Sequence, residues 1–296
     1  MRIQQTGLPA TGKLYVVATP IGNLGDLSPR ARSVLSDCAL IAAEDTRHTG
    51  ILLKHFDIGT PQVSLHDHNE ETRAVEIVAR LREGKSVALV SDAGTPAISD
   101  PGFELVRAVA AAGIEIVAIP GPCAAIAALS IGALPTDRFC FEGFLPARGA
   151  ARRLRLKSLA EESRTLVIYE SPHRVRETLE DCMTAFGEAR AATVVREATK
   201  LHETTYRGSL LELWNRSKSD ADVARGEIVL LIGGAVQSAA SGDDAESKAE
   251  LDKVLLALLA ELPLKQSARL AAQITGARDN EAYKRALFLK QQSASH

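Results

Sequence analysis

The chain has 296 residues, with 35 Lys and Arg against 37 Asp and Glu, which leaves a formal net charge of −2 at pH 7. A content of 46% hydrophobic and 24% charged residues excludes disordered and collagen-like chains, and the length suits roughly two domains. The near-neutral balance excludes a uniformly basic nucleic-acid binder. The aromatic content of 4% argues against rows of base-stacking rings.

The cysteines and the N-terminus predict a soluble, cytoplasmic protein. The four cysteines form no CxxC pair, so neither a zinc knuckle nor a redox motif is indicated, and we expect reduced, buried thiols. Residues 1–12 lack the cationic and apolar regions of a signal peptide. The charge-free run 116–134 is long enough to span a membrane, but Pro120 and Pro122 break it into a predicted strand and a short buried helix.

The first half of the chain, 13–134, alternates short apolar runs with helical patterns. A helix begins behind Ser28–Pro29, and a second helix is predicted to bury Val75, Val78 and Leu81. Strands that alternate with helices indicate an α/β domain with a parallel sheet covered by helices. The predicted strands are 14–18, 39–43, 86–90 and 114–119.

The second half, 135–234, alternates again and is predicted to be an α/β domain with a mixed sheet. The small, polar tract 235–246 is predicted to be a linker. A helical C-terminal module is expected over 247–291, with a helix–turn–helix pattern around Thr275 and Gly276. The predicted strands of the second half are 139–144, 165–169, 192–196, 203–207 and 227–234.

The loops that follow the strands of the first half are rich in small and polar residues. Ligands of parallel sheets bind beyond the carboxyl ends of the strands. The loop 91–102 (SDAGTPAISDPG) holds two Asp, two Gly and two Pro, residues that allow close backbone approach and bind hydroxyls or cations. We therefore predict a binding role for it. The loop 20–26 lacks a GxGxxG pattern, and a plain strand-to-helix turn is an equal alternative there.

Five segments resemble the tetrapyrrole methylase superfamily, and within it the ribosomal RNA methyltransferases. The segments are VATPIGNLGDLSPRA, AAEDTRHT, SDAGTPAISDPG, YESPHR and REATKLHE. The resemblance implies two α/β domains of the tetrapyrrole methylase type that hold S-adenosyl-L-methionine (SAM) between them, and a homodimer. It also implies 2′-O-methylation of a cytidine ribose in the decoding region of 16S rRNA, on the naked RNA or the small ribosomal subunit.

The same resemblance implies which residues bind SAM. The first loop lines the cofactor cleft in the superfamily, the loop 91–102 contacts the amino-acid and ribose parts, and the YES segment faces the cofactor from the second domain. The implied residues are Pro20, Gly22, Asn23, Leu24, Asp92, Ala93, Gly94, Ile98, Ser99, Asp100, Pro120, Gly121, Tyr169, Glu170 and Ser171.

Methyl transfer to a ribose hydroxyl needs a placed base or a polarising group, because the hydroxyl is a poor nucleophile. The candidates are Asp45, Arg47, Glu197 and Lys200, which follow buried strands. A carboxylate or a lysine with a lowered pKa would serve, and ordinary ion pairs are the alternative. No metal site is predicted, since the His-Asp-His segment 66–68 lacks further ligands at suitable spacing.

Two basic segments carry the predicted RNA contact. Residues 148–157 hold five cations and no acid, which suits phosphate binding, although a solvated helix face is the alternative. Residues 263–290 are also rich in cations, and a small dimerisation module is the alternative there. The predicted RNA-binding residues are Arg148, Arg152, Arg153, Arg155, Lys284 and Arg285.

Two other functions stay open on the sequence alone. A tetrapyrrole C-methyltransferase would use the same cofactor, but a small macrocycle needs neither basic segment. A non-catalytic RNA-binding assembly factor would keep the fold without binding SAM, which the intact loop 91–102 disfavours.

Overall fold

A computed structural model describes residues 11–235 and 243–293. The described residues fall into two compact units, with the division between Gly234 and Ala235. No helix in these two stretches is long and apolar enough to cross a membrane.

The first sheet has five parallel strands in the order β3-β2-β4-β1-β5, as the alternation of strands and helices predicted. Leu14 of β1 lies between Val87 of β4 and Ile116 of β5. The strands β2 and β4 are buried along their whole length, which is why they are continuous apolar runs. The strands are β1 (Leu14–Val17), β2 (Leu40–Ala43), β3 (Gln62–Ser64), β4 (Val87–Val90) and β5 (Ile116–Ile119).

Five helices follow the strands of this sheet, and the last of them, α5, packs on the second sheet. The hydroxyl of Ser28 accepts the N–H of Ala31 and starts α1, as predicted. The sequence did not predict β3 or α2: Asp45 caps α2, so much of the stretch 44–50 is helix rather than the expected loop. The helices are α1 (Pro29–Asp37), α2 (Thr46–His55), α3 (Glu70–Arg82), α4 (Phe103–Ala111) and α5 (Ala124–Ile131).

The buried face of α3 differs from the predicted one. Ala74, Ile77 and Leu81 are buried, whereas Val75 is 72% exposed, so the prediction for Val75 was wrong. Helix α3 contacts α4, and Glu70 Oε1 accepts two backbone N–H groups at the start of α4, at 3.0 and 3.1 Å. This carboxylate fixes the end of the loop 91–102.

The second sheet is mixed, as predicted, in the order β6-β7-β10-β8-β9. Strand β6 is parallel to β7, and the other pairs are antiparallel. The strands are β6 (Phe139–Phe144), β7 (Thr165–Glu170), β8 (Ala191–Arg196), β9 (Thr204–Ser209) and β10 (Ile228–Ile232), and the helices are α6 (Gly149–Ser158), α7 (Val175–Phe186) and α8 (Leu210–Ser219).

Helix α5 joins the two sheets, because it follows β5 of the first and packs on the second. Its buried side chains Ala128 and Leu129 share one apolar cluster with Val167, Val229 and Leu231. The carboxyl ends of the first sheet are thereby held beside one face of the second.

The C-terminal unit is helical, with a core that includes Leu255, Ala271 and Ala286. Gly276, with φ +72°, ends α10 in the left-handed conformation, which places the turn where the sequence predicted it. The helices are α9 (Asp243–Leu259), α10 (Leu264–Thr275) and α11 (Asp279–Ser293). Of the predicted linker 235–246, residues 236–242 lie outside the described residues, and α9 already begins at Asp243.

Candidate active site

A cavity of about 390 Å³ lies between the two sheets of the first unit, a size typical of small-molecule sites. The loops after β1, β2, β4 and β5 form one side, and strands and loops of the second sheet form the other. The residues that line it are Ile21, Glu44, Asp92, Ala93, Gly94, Thr95, Ile98, Ser99, Asp100, Cys123, Ala124, Phe144, Tyr169, Glu170, Ser171, Pro172, Val195, Ala198, Glu227, Ile228 and Val229.

The structure brings the predicted residues of 92–100 and 169–171 together around this cavity. Pro20, Gly22 and Leu24 line a smaller cavity instead, which shares Asp92 with the large one. Three predicted residues line neither cavity: Asn23, whose side chain caps a short 3₁₀ turn, and Pro120 and Gly121.

The loop 91–102 is held to the first strand by its backbone. Thr19 and Gly94 exchange N–H···O bonds of 2.8 and 3.1 Å, and Gly94 has a φ of +83°. Ala97 and Ser99 adopt positive φ angles of 66° and 64° although they are not glycines. Such backbone strain is concentrated at ligand sites in proteins.

The cavity wall is acidic. Glu44, Asp92 and Asp100 line it and form no ion pair with any described residue, and none of the lining residues in 11–235 is Lys, Arg or His. Burial, reinforced by the charge of Glu44, raises the pKa of Asp100 to about 6. Burial also raises the pKa of Glu44. This excess of carboxylate fits a positively charged ligand.

Tyr169 forms much of the opposite wall. Its hydroxyl accepts the N–H of Ala125 at 3.1 Å, and its ring contacts Phe141 and Phe144 edge-on at 5.0 and 5.7 Å between centroids. Burial raises the pKa of the phenol. Tyr169 is therefore a fixed, neutral side chain that links β7 to α5.

Glu170, beside Tyr169, already has protein partners. Its carboxylate accepts the N–H of Ser171 at 2.7 Å and the hydroxyl of Thr178 at 2.5 Å. The guanidinium of Arg174 lies 3.4 Å away. Glu170 therefore forms part of the cavity wall, but its carboxylate is already bonded to these groups and is not available to a ligand.

Two of the predicted catalytic residues form an ion pair at the start of α2. Arg47 donates to the carboxylate of Asp45 at 2.7 Å, and this bond holds the pKa of Asp45 well below its usual range. The N–H of Asp45 donates to Asp92 Oδ1 at 3.0 Å. The pair lies next to the cavity without lining it.

The other two, Glu197 and Lys200, form an ion pair on the far side. Lys200 Nζ lies 3.1 Å from Glu197 and 3.1 Å from Glu227, and Glu227 lines the cavity. Burial lowers the pKa of Lys200, but its bonds to Glu197 and Glu227 outweigh this and the net shift is upward. This contradicts the option of a lysine base with a lowered pKa. The stem of Lys200 packs on Gly22 so closely that a Cβ there has no room.

The structure corrects one predicted RNA contact. The side chain of Arg152 is 3% exposed, bound to Asp181 at 2.7 Å and to Glu177 at 3.2 Å, so no phosphate reaches it. Arg155 pairs with Glu142 at 2.8 Å. Arg148, Arg153 and Lys284 are exposed, although Arg153 also lies 3.6 Å from Asp181. Arg285 is half-buried and paired with Asp252.

Sequence reasoning missed several wall residues. Glu44 ends a buried strand beside Asp45, and that position was signal enough to find it. Val195, Glu227 and Val229 belong to or flank strands of the second sheet, and nothing in their sequence distinguishes them from core or surface residues. Within the described ranges, no group of three or more His, Cys, Asp or Glu side chains is arranged to hold a metal ion.

Comparison with known proteins gives matches over both units. Residues 13–213 match the tetrapyrrole (corrin/porphyrin) methylases, and residues 245–290 match the RsmI C-terminal HTH domain. The chain is 53% identical over 278 residues to the ribosomal RNA small subunit methyltransferase I of Pseudomonas aeruginosa, covering 94% of this chain and 98% of the relative. It is 49% identical over 287 residues to the protein of the same name from Escherichia coli O157:H7, covering 97% and 99%.

A solved structure shares the fold. Uroporphyrin-III C-methyl transferase from Thermus thermophilus, complexed with S-adenyl homocysteine, superposes with a TM-score of 0.52 at 18% identity over 76% of this chain and 99% of that chain. At this level of identity the likeness concerns the fold alone.

Proposed function

The chain belongs to the tetrapyrrole methylase family, and from this premise we propose that it is a SAM-dependent methyltransferase of small-subunit ribosomal RNA. Relatives that carry this name are 53% and 49% identical to it over nearly the whole chain. The match to the RsmI C-terminal HTH domain also supports an RNA substrate, because helix–turn–helix modules commonly bind nucleic acids. A methylase of small tetrapyrroles is the less favoured alternative.

The acidic cavity is the observation that carries the proposal. SAM, when bound, supplies an electrophilic methyl group on a positively charged sulfonium. Glu44, Asp92 and Asp100 have no cationic partner among the described residues and would offset that charge. The backbone at 93–94, opened by Gly94, would admit the ligand closely, and Tyr169 would close the opposite side.

At a finer level, we propose that the methyl acceptor is the 2′-oxygen of a cytidine in the decoding region of 16S rRNA. The cavity is flanked by the four residues Asp45, Arg47, Glu197 and Lys200. Two residues that line it are positioned by them: Asp92 by the pair at the start of α2, and Glu227 by the pair on the far side. The upward pKa shift of Lys200 supports a role as a retained cation rather than as a base. Asp45 is ionised but weakly basic, because Arg47 stabilises its charge.

The remaining partners are also proposals. Exposed Arg148, Arg153 and Lys284 suit phosphate contacts with the rRNA or the small subunit. We propose a homodimer in the cytoplasm. Light scattering at micromolar concentration should then give twice the chain mass of 31.6 kDa, and a single-chain mass would contradict the dimer.

Two measurements test the function. Calorimetry should show SAM binding to the wild-type protein. Small ribosomal subunits from cells that lack the protein, incubated with protein and SAM, should gain one 2′-O-methyl group on a cytidine, located by mass mapping. SAM binding without methylation of RNA, but with methylation of a porphyrin precursor, would instead establish the tetrapyrrole alternative.

A further inference from the structure

A second cavity, of about 150 Å³, lies beside the large one. The first loop, the middle of α2 and the residues just after β4 form its walls, and Asp92 lines both cavities. The two cavities therefore share the part of the wall that contains Asp92. A ligand in the second cavity would lie directly beside the large cavity, where SAM is proposed to bind.

The walls of the second cavity suit an apolar ring face. The cavity has less than half the volume of the large one. Pro20, Leu24, Ile51 and Leu52 make most of the wall apolar. Leu24 and Ile51 are 40% and 71% exposed, although large apolar side chains are normally covered.

One wall residue has a polar atom that nothing in the described chain satisfies. Thr49 is 3% exposed, and its Oγ1 has no hydrogen-bond partner. A threonine inside a helix commonly bonds the carbonyl four residues earlier, but only the backbone N–H of Thr49 bonds Asp45 here. Buried hydroxyls are nearly always paired in proteins. Oγ1 itself has almost no accessible surface, so a ligand in the cavity would reach it only after the side chain turns to the second χ1 rotamer that threonine adopts in helices.

We propose that the second cavity receives the base of the target nucleotide, turned out of the RNA, and that Thr49, turned toward the cavity, hydrogen-bonds the polar edge of that base through Oγ1. The apolar walls would hold the ring faces, as in enzymes that act on flipped nucleotides, and the ribose would then lie at Asp92, next to the methyl donor. This inference rests on the proposed function, since it assigns the acceptor's position within it.

The first test removes only the hydroxyl. Thr49→Val keeps the shape and should lower kcat/KM for methylation of unmodified small subunits by roughly fivefold, while the SAM affinity measured by calorimetry stays unchanged. Thr49→Ser keeps the hydroxyl and should restore most of the activity. Because the hydroxyl is unpaired in the ligand-free protein, Thr49→Val should not lower the melting temperature. A lower melting temperature without a selective loss of kcat/KM would contradict the assignment.

The second test fills the cavity from its rim. Ile51→Trp should reduce transfer to small subunits by about tenfold or more and leave SAM binding intact. Val75→Trp on α3 is the matched control, because Val75 is equally exposed at 72% and lines neither of the two cavities. It should retain wild-type activity.

The outcomes separate this inference from the proposed function. If wild-type protein methylates the subunits and both Thr49→Val and Ile51→Trp do so equally well, the base lies elsewhere and only the inference falls. If wild-type protein binds SAM but never methylates RNA, the proposed function falls and the inference falls with it. Selective loss of transfer in both variants, with SAM affinity intact, supports the assignment.

Discussion

The acidic cavity and helix α6 each gather charge of one sign, but they differ in what balances it. In the cavity, Glu44, Asp92 and Asp100 have no ion-pair partner in the described chain. On α6, Arg152 is buried between two acids of α7 and Arg155 is paired with β6. The number of like charges in a stretch of sequence therefore does not predict the uncompensated charge that a binding partner contacts in the folded protein.

Substitution of Arg152 is expected to have the largest effect. Arg152→Ala leaves Asp181 buried without its main partner, and loss of one partner of a buried pair costs about 3–5 kcal/mol of unfolding free energy. Urea denaturation checks this. The neighbouring Arg153→Ala is the control, because its 56% exposed side chain makes only a longer contact of 3.6 Å with Asp181, and it should cost about 1 kcal/mol or less. If the two variants had equal free energies of unfolding, the buried pairing of Arg152 would contribute nothing extra, and α6 would not differ from the cavity in how its charge is balanced.

Substitution of Asp100 measures how much free energy of unfolding an unpaired carboxylate in the cavity wall costs. Its pKa of about 6 lies above the usual value of 3.8, so the folded protein binds this proton more tightly than the unfolded chain. The stability that this proton contributes is present below pH 4 and is lost as the pH rises through 6. Asp100→Asn should therefore stabilise the ligand-free protein at pH 8, by about 1–3 kcal/mol. Thermal melts at pH 5 and pH 8 check this, and a variant less stable than wild type at pH 8 would contradict it.

The same residue tests the proposed cofactor. Because ionised Asp100 favours a cationic ligand, the SAM affinity of the wild type should fall about tenfold from pH 7 to pH 5, and Asp100→Asn should lose this dependence. S-adenosylhomocysteine lacks the sulfonium charge and should show a weaker dependence. Calorimetry with both ligands at several pH values measures the difference. Identical pH profiles for the two ligands would show that Asp100 does not act on the sulfonium charge.

The smallest effect is expected from the exposed cations of α6. The double substitution of Arg148 and Arg153 to Ala should lower the log–log salt slope of RNA binding by about 0.7–0.9 per lost phosphate contact. The control Arg155→Ala should change the slope less, because Glu142 holds that guanidinium at 2.8 Å, whereas Arg153 has only a contact of 3.6 Å with Asp181. Equal slopes in all three proteins would mean that α6 is only a solvated face.

Most strands of the fold were predictable, because a buried strand of a helix-covered sheet is a short apolar run between turn residues. Strand β3 was not, since its three residues are only half-buried. Helix α2 was missed because its first turn is polar. On α3 the predicted face included Val75, which is exposed, whereas Val78 and Leu81 pack in the core and the close packing against α4 adds Ala74.

The candidate site was predictable where one loop concentrates it. The stretch 92–100 was found because its Asp, Gly and Pro residues are adjacent in sequence. The wall from the second sheet is built from strands that meet only in the folded chain. No local sequence pattern therefore identifies Val195 and Glu227 as site residues. The burial of Arg152 likewise depends on Asp181, a residue on another helix that no local pattern connects to it.

Gly22 has a consequence for how this protein tolerates mutation. The stem of Lys200 occupies the space that a side chain at Gly22 would need, and the ammonium of Lys200 holds Glu227 at the cavity wall. A side chain at Gly22 therefore meets two obstacles, the stem of Lys200 and a φ of +148° that L residues rarely adopt. Shortening Lys200 would remove only the first obstacle and would also release Glu227, so this position should tolerate no residue but glycine, even in a chain with a shorter side chain at Lys200.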